Sequence, residues 1–157
     1  MTFEELREEI DIELEWIESI LQEISALGKD NIAGREPTVR EKTATATFMA
    51  QFYTCIENIL KRIGHFNFLP LPKGDTWHID LFKRFCTPSY KNLPALFDES
   101  LALTMAPFRK FRHVVHHGYG FQLDWNRMQE GVEGIESIFL KFKSKLSDYL
   151  QTLETER

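Results

Sequence analysis

The sequence lacks any apolar run that approaches twenty residues, and its first residues lack the basic-then-apolar pattern of a leader peptide. The chain opens with Thr2, Phe3, Glu4 and Glu5. A helix that crosses a bilayer needs about 20 mostly apolar residues, and a secretion signal needs a basic segment before an apolar one. We therefore expect no membrane span and no secretion signal, and we expect a cytoplasmic protein.

Cysteine is scarce, since Cys55 and Cys86 are the only two cysteines in 157 residues. Each lies within an apolar pattern of helical spacing. Two isolated thiols in a chain without a visible secretion signal are typical of reduced, packed side chains. We expect neither a disulfide nor a cysteine metal site.

Carboxylates are missing from residues 100–123 of a chain whose net charge is -5. That net charge argues against the broadly basic surface of a nonspecific nucleic-acid binder. Residues 4–23 are instead strongly acidic, because they contain nine carboxylates and the single cation Arg7. We interpret the acidic run as a solvated helix face, with a partner-binding surface as the alternative.

Apolar residues recur at steps of three and four along most of the chain, which predicts helices. The first stripe predicts a long helix over 3–27, with Gly28 as its stop. Thr38 and Glu41 form a capping-box pattern that starts a second long helix, expected to continue to Gly64.

The second half of the chain predicts further helices. A cap at 75–76 begins a shorter helix that Pro88 ends, and a last long helix begins near Asp124. Pro107 either separates two helices or kinks one continuous helix. No segment alternates like a strand, so residues 1–157 are expected to form one all-α domain, an antiparallel bundle of four or five helices.

Residues 112–119 read Arg-His-Val-Val-His-His-Gly-Tyr, the stretch of the chain richest in chemistry. Guanidinium is a planar fork that suits phosphate oxygens, and imidazole exchanges protons near neutral pH. On a helix Arg112 and His116 would share a face, while Val114 and Val115 would point toward the core. The stretch therefore suits phosphoryl chemistry on a polyanion.

Two other interpretations of this stretch remain open. His113 and His117, four residues apart, could bind a metal, but no Glu follows His113 as in zinc proteases and no third ligand is evident. The stretch could also be an exposed basic turn at a helix C-terminus, where positive side chains favour the helix dipole.

The pattern resembles the Arg-x4-His-x-Tyr motif of HepT-type ribonuclease toxins, which are HEPN-domain proteins. Arg112, His113, His117 and Tyr119 occupy that motif without a gap. The architecture is also similar, because that family has an all-α bundle of about this length, with the motif late in one helix and one more helix after it. The resemblance in architecture covers essentially the whole chain.

The resemblance implies a metal-independent endoribonuclease that works as a homodimer, with both motifs facing one cleft. His117 would act as general base or acid on the 2′-hydroxyl and the leaving oxygen, and Arg112 would hold the scissile phosphate. The two subunits would divide the acid and base roles and leave a 2′,3′-cyclic phosphate. His113 would orient its counterpart across the dimer, and Arg109 and Lys110 would guide the RNA backbone.

The resemblance also implies how the enzyme is silenced, as the toxin of a type VII toxin–antitoxin pair. The antitoxin would be a minimal nucleotidyltransferase that transfers AMP from ATP, with Mg²⁺, to Tyr119. The added phosphodiester would repel RNA from the cleft. Without the motif, Tyr119 would simply be a tyrosine packed after a helix stop, between Gly118 and Gly120.

A second functional class fits the same resemblance. Some HEPN-like proteins are similar to noncatalytic nucleotide-binding or adaptor subunits of a nucleotidyltransferase complex. An adaptor would also explain the acidic first helix. Substituting Arg112 or His117 separates the two classes, because only a nuclease depends on both side chains for RNA cleavage.

Overall fold

The apolar residues that recur at helical spacing lie on five helices in a computed structural model, which describes residues 1–30, 35–117 and 123–156. The helices are α1 (Phe3–Asp30), α2 (Val39–Phe66), α3 (Trp77–Lys83), α4 (Glu99–His116) and α5 (Trp125–Thr155). Within the described residues the β pairing is limited to one isolated bridge between Cys86 and Phe97. The predicted all-α bundle is confirmed.

The predicted capping box at the start of α2 is confirmed. The Thr38 hydroxyl accepts from the Glu41 amide at 3.2 Å, and a Glu41 carboxylate oxygen accepts from the Thr38 amide at 3.1 Å. Arg35 donates to the same carboxylate at 2.8 Å. This bond and the capping bonds lower the pKa of Glu41 to about 2.

Two predicted helix ends are wrong. The helix α1 continues past Gly28 to Asp30, and α2 continues past Gly64 to Phe66. A glycine inside a helix costs only about 1 kcal/mol relative to alanine, so it does not by itself end one. The end of α2 is instead set by Asn67, whose side-chain amide and backbone N–H both donate to the carbonyl of Ile63.

The prolines act differently from each other. Pro88 does not end α3, because the helix stops at Lys83, where Phe85 and Cys86 turn the chain with tighter i→i+3 bonds. Pro107 lies inside α4, which is one continuous helix from the Asp98 cap onward. Arg112 and His113 therefore stand on the same helix as the core residues that precede them.

Part of the acidic run on α1 holds the bundle together. Arg62 on α2 pairs with Glu9 at 2.8 Å and with Glu13 at 3.2 Å, and Lys143 on α5 pairs with Glu18 at 3.0 Å. The two pairs of Arg62 join the first half of α1 to the end of α2, so these two helices run antiparallel. The acidic run is thus partly structural and only partly a solvated face.

Helices α2, α4 and α5 meet around Phe52, which is fully buried. Its ring centroid lies 5.3 Å from that of Phe108 on α4 and 6.5 Å from that of Phe139 on α5, both edge-on. Edge-to-face pairs at this spacing are favourable beyond the area they bury. The middle of the motif helix is thereby packed against α2.

The predicted free cysteines are confirmed. Cys55 is buried and Cys86 is partly buried, and neither forms a disulfide. Burial raises the pKa of Cys55 to about 12 and also raises the pKa of Cys86. In the described part of the chain, the helices are too short or too polar to cross a bilayer.

Candidate functional site

Arg112 is held against α2 rather than extended into solvent. Its Nε donates to the hydroxyl of Thr54 at 2.8 Å, and its side chain is 20% exposed. The Thr54 hydroxyl donates in turn to the carbonyl of Ala50, which fixes its rotamer. The guanidinium is therefore oriented by α2 before any ligand arrives.

A buried carboxylate faces Arg112 from α2. Glu57 is 1% exposed, and its Oε1 lies 3.7 Å from Nη2 of Arg112 and 3.8 Å from Nζ of Lys61. Among the described residues, Oε1 accepts no hydrogen bond, so these two contacts are electrostatic. A buried charge is costly unless opposite charges compensate it, and Arg112 and Lys61 supply that compensation.

The other oxygen of Glu57 binds a histidine of α3. Oε2 lies 2.6 Å from Nδ1 of His78, a short, charge-assisted contact. An ionised carboxylate only accepts hydrogen bonds, so Nδ1 carries the hydrogen. The contact of 3.5 Å between Nδ1 and Nη1 of Arg112 is then a contact between two donors and not a hydrogen bond.

His78 is fixed from a second side as well. Its ring centroid lies 3.5 Å from that of the neighbouring Trp77. Lys61 stands over the Trp77 ring at 4.7 Å from the centroid, a cation–π arrangement. The imidazole therefore has one orientation, while its side chain remains 33% exposed.

His117 closes the C-terminus of α4. Its backbone N–H bonds to the carbonyl of His113 at 3.2 Å, and its Nδ1 lies 2.8 Å from the same oxygen. A carbonyl only accepts, so Nδ1 carries the hydrogen, and Nε2 is the basic nitrogen of the neutral ring. The rings of His113 and His117 are 4.0 Å apart between centroids.

The other basic residues near the motif take different positions. Arg109 turns toward α3, with its guanidinium carbon 5.8 Å from the Phe82 ring centroid, and its Nε is buried. Lys110 and His116 are exposed. Tyr119, with the glycines on either side of it, lies outside the described residues, so its predicted modification stays a prediction.

The expectation for Val114 is wrong. Its side chain is 37% exposed, whereas Val115 packs on the core together with Phe111. The inward face of α4 is defined by residues at steps of three and four, namely Phe108, Phe111 and Val115. Val114 lies about 100° away from Val115 on the helix and falls outside that face.

Lys110 and Val114 line an open groove of about 620 Å³ between α4 and α5. Phe111 of α4 also lines the groove, as do Arg127 and Lys141 of α5. It lies on a different side of α4 from the contacts of Arg112 with α2. The described residues hold no group of three or more His, Cys, Asp or Glu side chains suited to a metal ion.

The field of the site also acts on Tyr53 of α2. Burial raises the pKa of its phenol, and the negative charge of Glu57 raises it further. Its hydroxyl is buried and finds no hydrogen-bond partner in the described parts of the chain. Tyr53 thus remains neutral beside the ionic cluster.

The sequence interpretation missed Thr54, Glu57 and His78. Glu57 carried a usable signal, because a carboxylate stands on the apolar stripe of α2 between Ile56 and Leu60. A charge at a core position is usually paired. His78 gave no such signal, since only tertiary packing brings it to Glu57, 21 residues away in sequence.

A sequence model described as HepT-like protein matches residues 44–153, which span α2 to α5 almost completely and include Arg112 and His117. The match covers more than half of the chain, so the chain belongs to the HepT-like family. No curated protein and no solved structure matches it.

Proposed function

We propose that this HepT-like protein is a metal-independent endoribonuclease, the toxin of a type VII toxin–antitoxin pair. The proposal rests mainly on the orientation of Arg112. Its guanidinium is held by Thr54 and Glu57 before any ligand is bound. It lies five residues before His117 at the end of the same helix. A preoriented guanidinium and an imidazole on the same helix are groups suited to phosphoryl transfer.

Arg112 binds the scissile phosphate in this proposal. Its Nε donates to Thr54, whereas Nη1 and Nη2 donate no hydrogen bond to a described residue, and the 3.7 Å contact of Nη2 with Glu57 is electrostatic. These terminal nitrogens donate to two phosphate oxygens and stabilise the charge that builds on them as the 2′-oxygen attacks.

His117 is the general base. With hydrogen on Nδ1, its Nε2 accepts the proton of the ribose 2′-hydroxyl. The 2′-oxygen then bonds to phosphorus, and the leaving 5′-oxygen needs a proton. In a homodimer with both motifs in one cleft, the partner subunit's His117 can supply it. The products are a 2′,3′-cyclic phosphate and a 5′-hydroxyl.

The remaining parts of the proposal concern RNA and the partner. Lys110 attracts the RNA backbone from the exposed face of α4, with Arg109 adding its charge, and His113 orients its counterpart across the dimer. The antitoxin, a nucleotidyltransferase that uses ATP and Mg²⁺, places AMP on Tyr119 and so repels RNA. The pair acts in the cytoplasm.

The test compares RNA cleavage by wild type, Arg112→Ala and His117→Ala, with Arg40→Ala as an exposed-arginine control on α2. We expect each motif substitution to lower the cleavage rate by about 10²-fold or more while dimerisation and helical content stay unchanged. We expect Arg40→Ala to match wild type. Unchanged cleavage in both motif variants would reject the site, and no cleavage by wild type would favour the adaptor function.

A further inference from the structure

We propose that His78, oriented by Glu57, is the general acid that protonates the leaving 5′-oxygen at the phosphate bound by Arg112. The inference rests on the proposed ribonuclease function and deepens it, because His78 of the chain that binds the phosphate supplies the acid in place of the partner subunit's His117. The observation behind it is the contact between a carboxylate, an imidazole and the motif arginine.

Glu57 fixes the orientation of the His78 ring. Glu57 accepts from Nδ1 of His78 at 2.6 Å. A carboxylate that holds one ring nitrogen fixes the tautomer and compensates the positive charge of the imidazolium, the form in which an acid starts. Proton exchange is thereby left to Nε2, which a single ring carbon separates from Nδ1.

The His78 ring lies beside the guanidinium of Arg112. Nδ1 of His78 is 3.5 Å from Nη1 of Arg112. A phosphate held by the terminal nitrogens of Arg112 therefore lies next to the imidazole. His78 is thus a histidine that the fold brings to the phosphate-binding group.

The His78 ring is held by its neighbours and is still accessible to substrate. Trp77 packs on the ring of His78, and Lys61 binds both Trp77 and Glu57. A catalytic acid gains from such fixation, because the ring does not have to be reoriented during the reaction. Its side chain is nevertheless 33% exposed, so substrate can reach it.

The chemical step balances. Nε2 of His117 takes the proton of the 2′-hydroxyl, the 2′-oxygen bonds to phosphorus, and the bond from phosphorus to the 5′-oxygen breaks. The electron pair of that bond stays on the 5′-oxygen, which receives the proton from Nε2 of His78. Both rings then return to their starting forms by exchange of protons with water.

The decisive variant is His78→Asn. The asparagine amide stands where Nδ1 stood and can still donate to Glu57, but it has no atom in place of Nε2. The variant thus keeps the hydrogen bond that holds the buried carboxylate and removes only the proposed acid. His65→Asn is the matched control, because His65 is exposed at the end of α2.

The experiment uses two RNA substrates of the same sequence. One has the ordinary 5′-oxygen at the cleavage site, and the other has sulfur there, a leaving group that departs without a proton. For His78→Asn we expect about a 10²-fold or larger loss on the oxygen substrate and a rate near wild type on the sulfur substrate. Circular dichroism and the oligomeric state monitor folding.

Two outcomes would overturn the inference. An equal loss on both substrates would mean that His78 only positions Arg112. No loss on either substrate would mean that the acid is elsewhere, as with the partner subunit's His117. Cleavage of the oxygen substrate by wild type and by His65→Asn shows in each case that the proposed nuclease function itself stands.

Discussion

Glu57→Gln is the substitution that tests the site most sharply, because it removes one charge and almost no volume. The carboxylate lies 3.7 Å from Arg112, 3.8 Å from Lys61 and 2.6 Å from His78. Two opposite unit charges about 4 Å apart attract each other with an energy of about 4 kcal/mol at an effective dielectric constant near 20. Desolvating the carboxylate costs several kcal/mol and offsets most of that gain.

The net effect on stability is therefore small. The three partners are between 20% and 34% exposed, so water can solvate them once the carboxylate is gone. We expect the free energy of unfolding to fall by about 1–2 kcal/mol, less than the 3–5 kcal/mol typical of a fully buried broken pair. The effect on catalysis is larger, about 10²-fold in kcat, because Arg112 and His78 lose their common anchor.

The assay pairs urea unfolding with single-turnover cleavage of RNA. Glu13→Gln is the matched control, since Glu13 is 9% exposed and pairs with Arg62 at 3.2 Å, on the α1 side of α2. We expect the control to lose similar stability and to keep its cleavage rate. Equal rates for Glu57→Gln and wild type would refute the reasoning, and so would an equal loss in the control.

The other predictions concern the fold. Because the pKa of Glu41 is lowered in the folded protein, its contribution to stability is present above pH 4.5 and is lost as the pH falls toward about 2. Glu41→Gln should therefore lower the melting temperature at pH 6 and hardly change it at pH 2. Raised pKa values should make Cys55 and Cys86 react with Ellman's reagent at pH 8 far more slowly in the native protein than in urea. Phe52→Ala should cost about 3–5 kcal/mol in urea unfolding, because the cavity opens between three helices.

Much of the fold could be predicted because its signals are local. The capping box at Thr38 and the stripes of α1, α2 and α5 depend on residues within a few positions of one another. The boundaries at Gly28 and Gly64 were wrong because a glycine permits a helix end without requiring one. Pro107 was left open because only the packing around it decides whether its helix continues.

The site was predictable only in part, for the same reason. Arg112 and His117 stand in one short motif, so their spacing is visible in the sequence. The residues that contact Arg112 are far from it in sequence. His78 is 34 residues away and Thr54 is 58 residues away, and the separation of Glu57 lies between these two values. No local pattern encodes such contacts, although the carboxylate on the buried face of α2 marks a position that must be paired.

The most direct measurement of the central claim is the chemistry of the RNA ends. Unmodified wild-type protein and His117→Ala are incubated with RNA in excess EDTA, and the fragments are analysed for 2′,3′-cyclic phosphate. We predict cyclic phosphate ends and 5′-hydroxyl ends from wild type and none from His117→Ala. Cleavage that stops with EDTA, or equal cleavage by both proteins, would contradict the account.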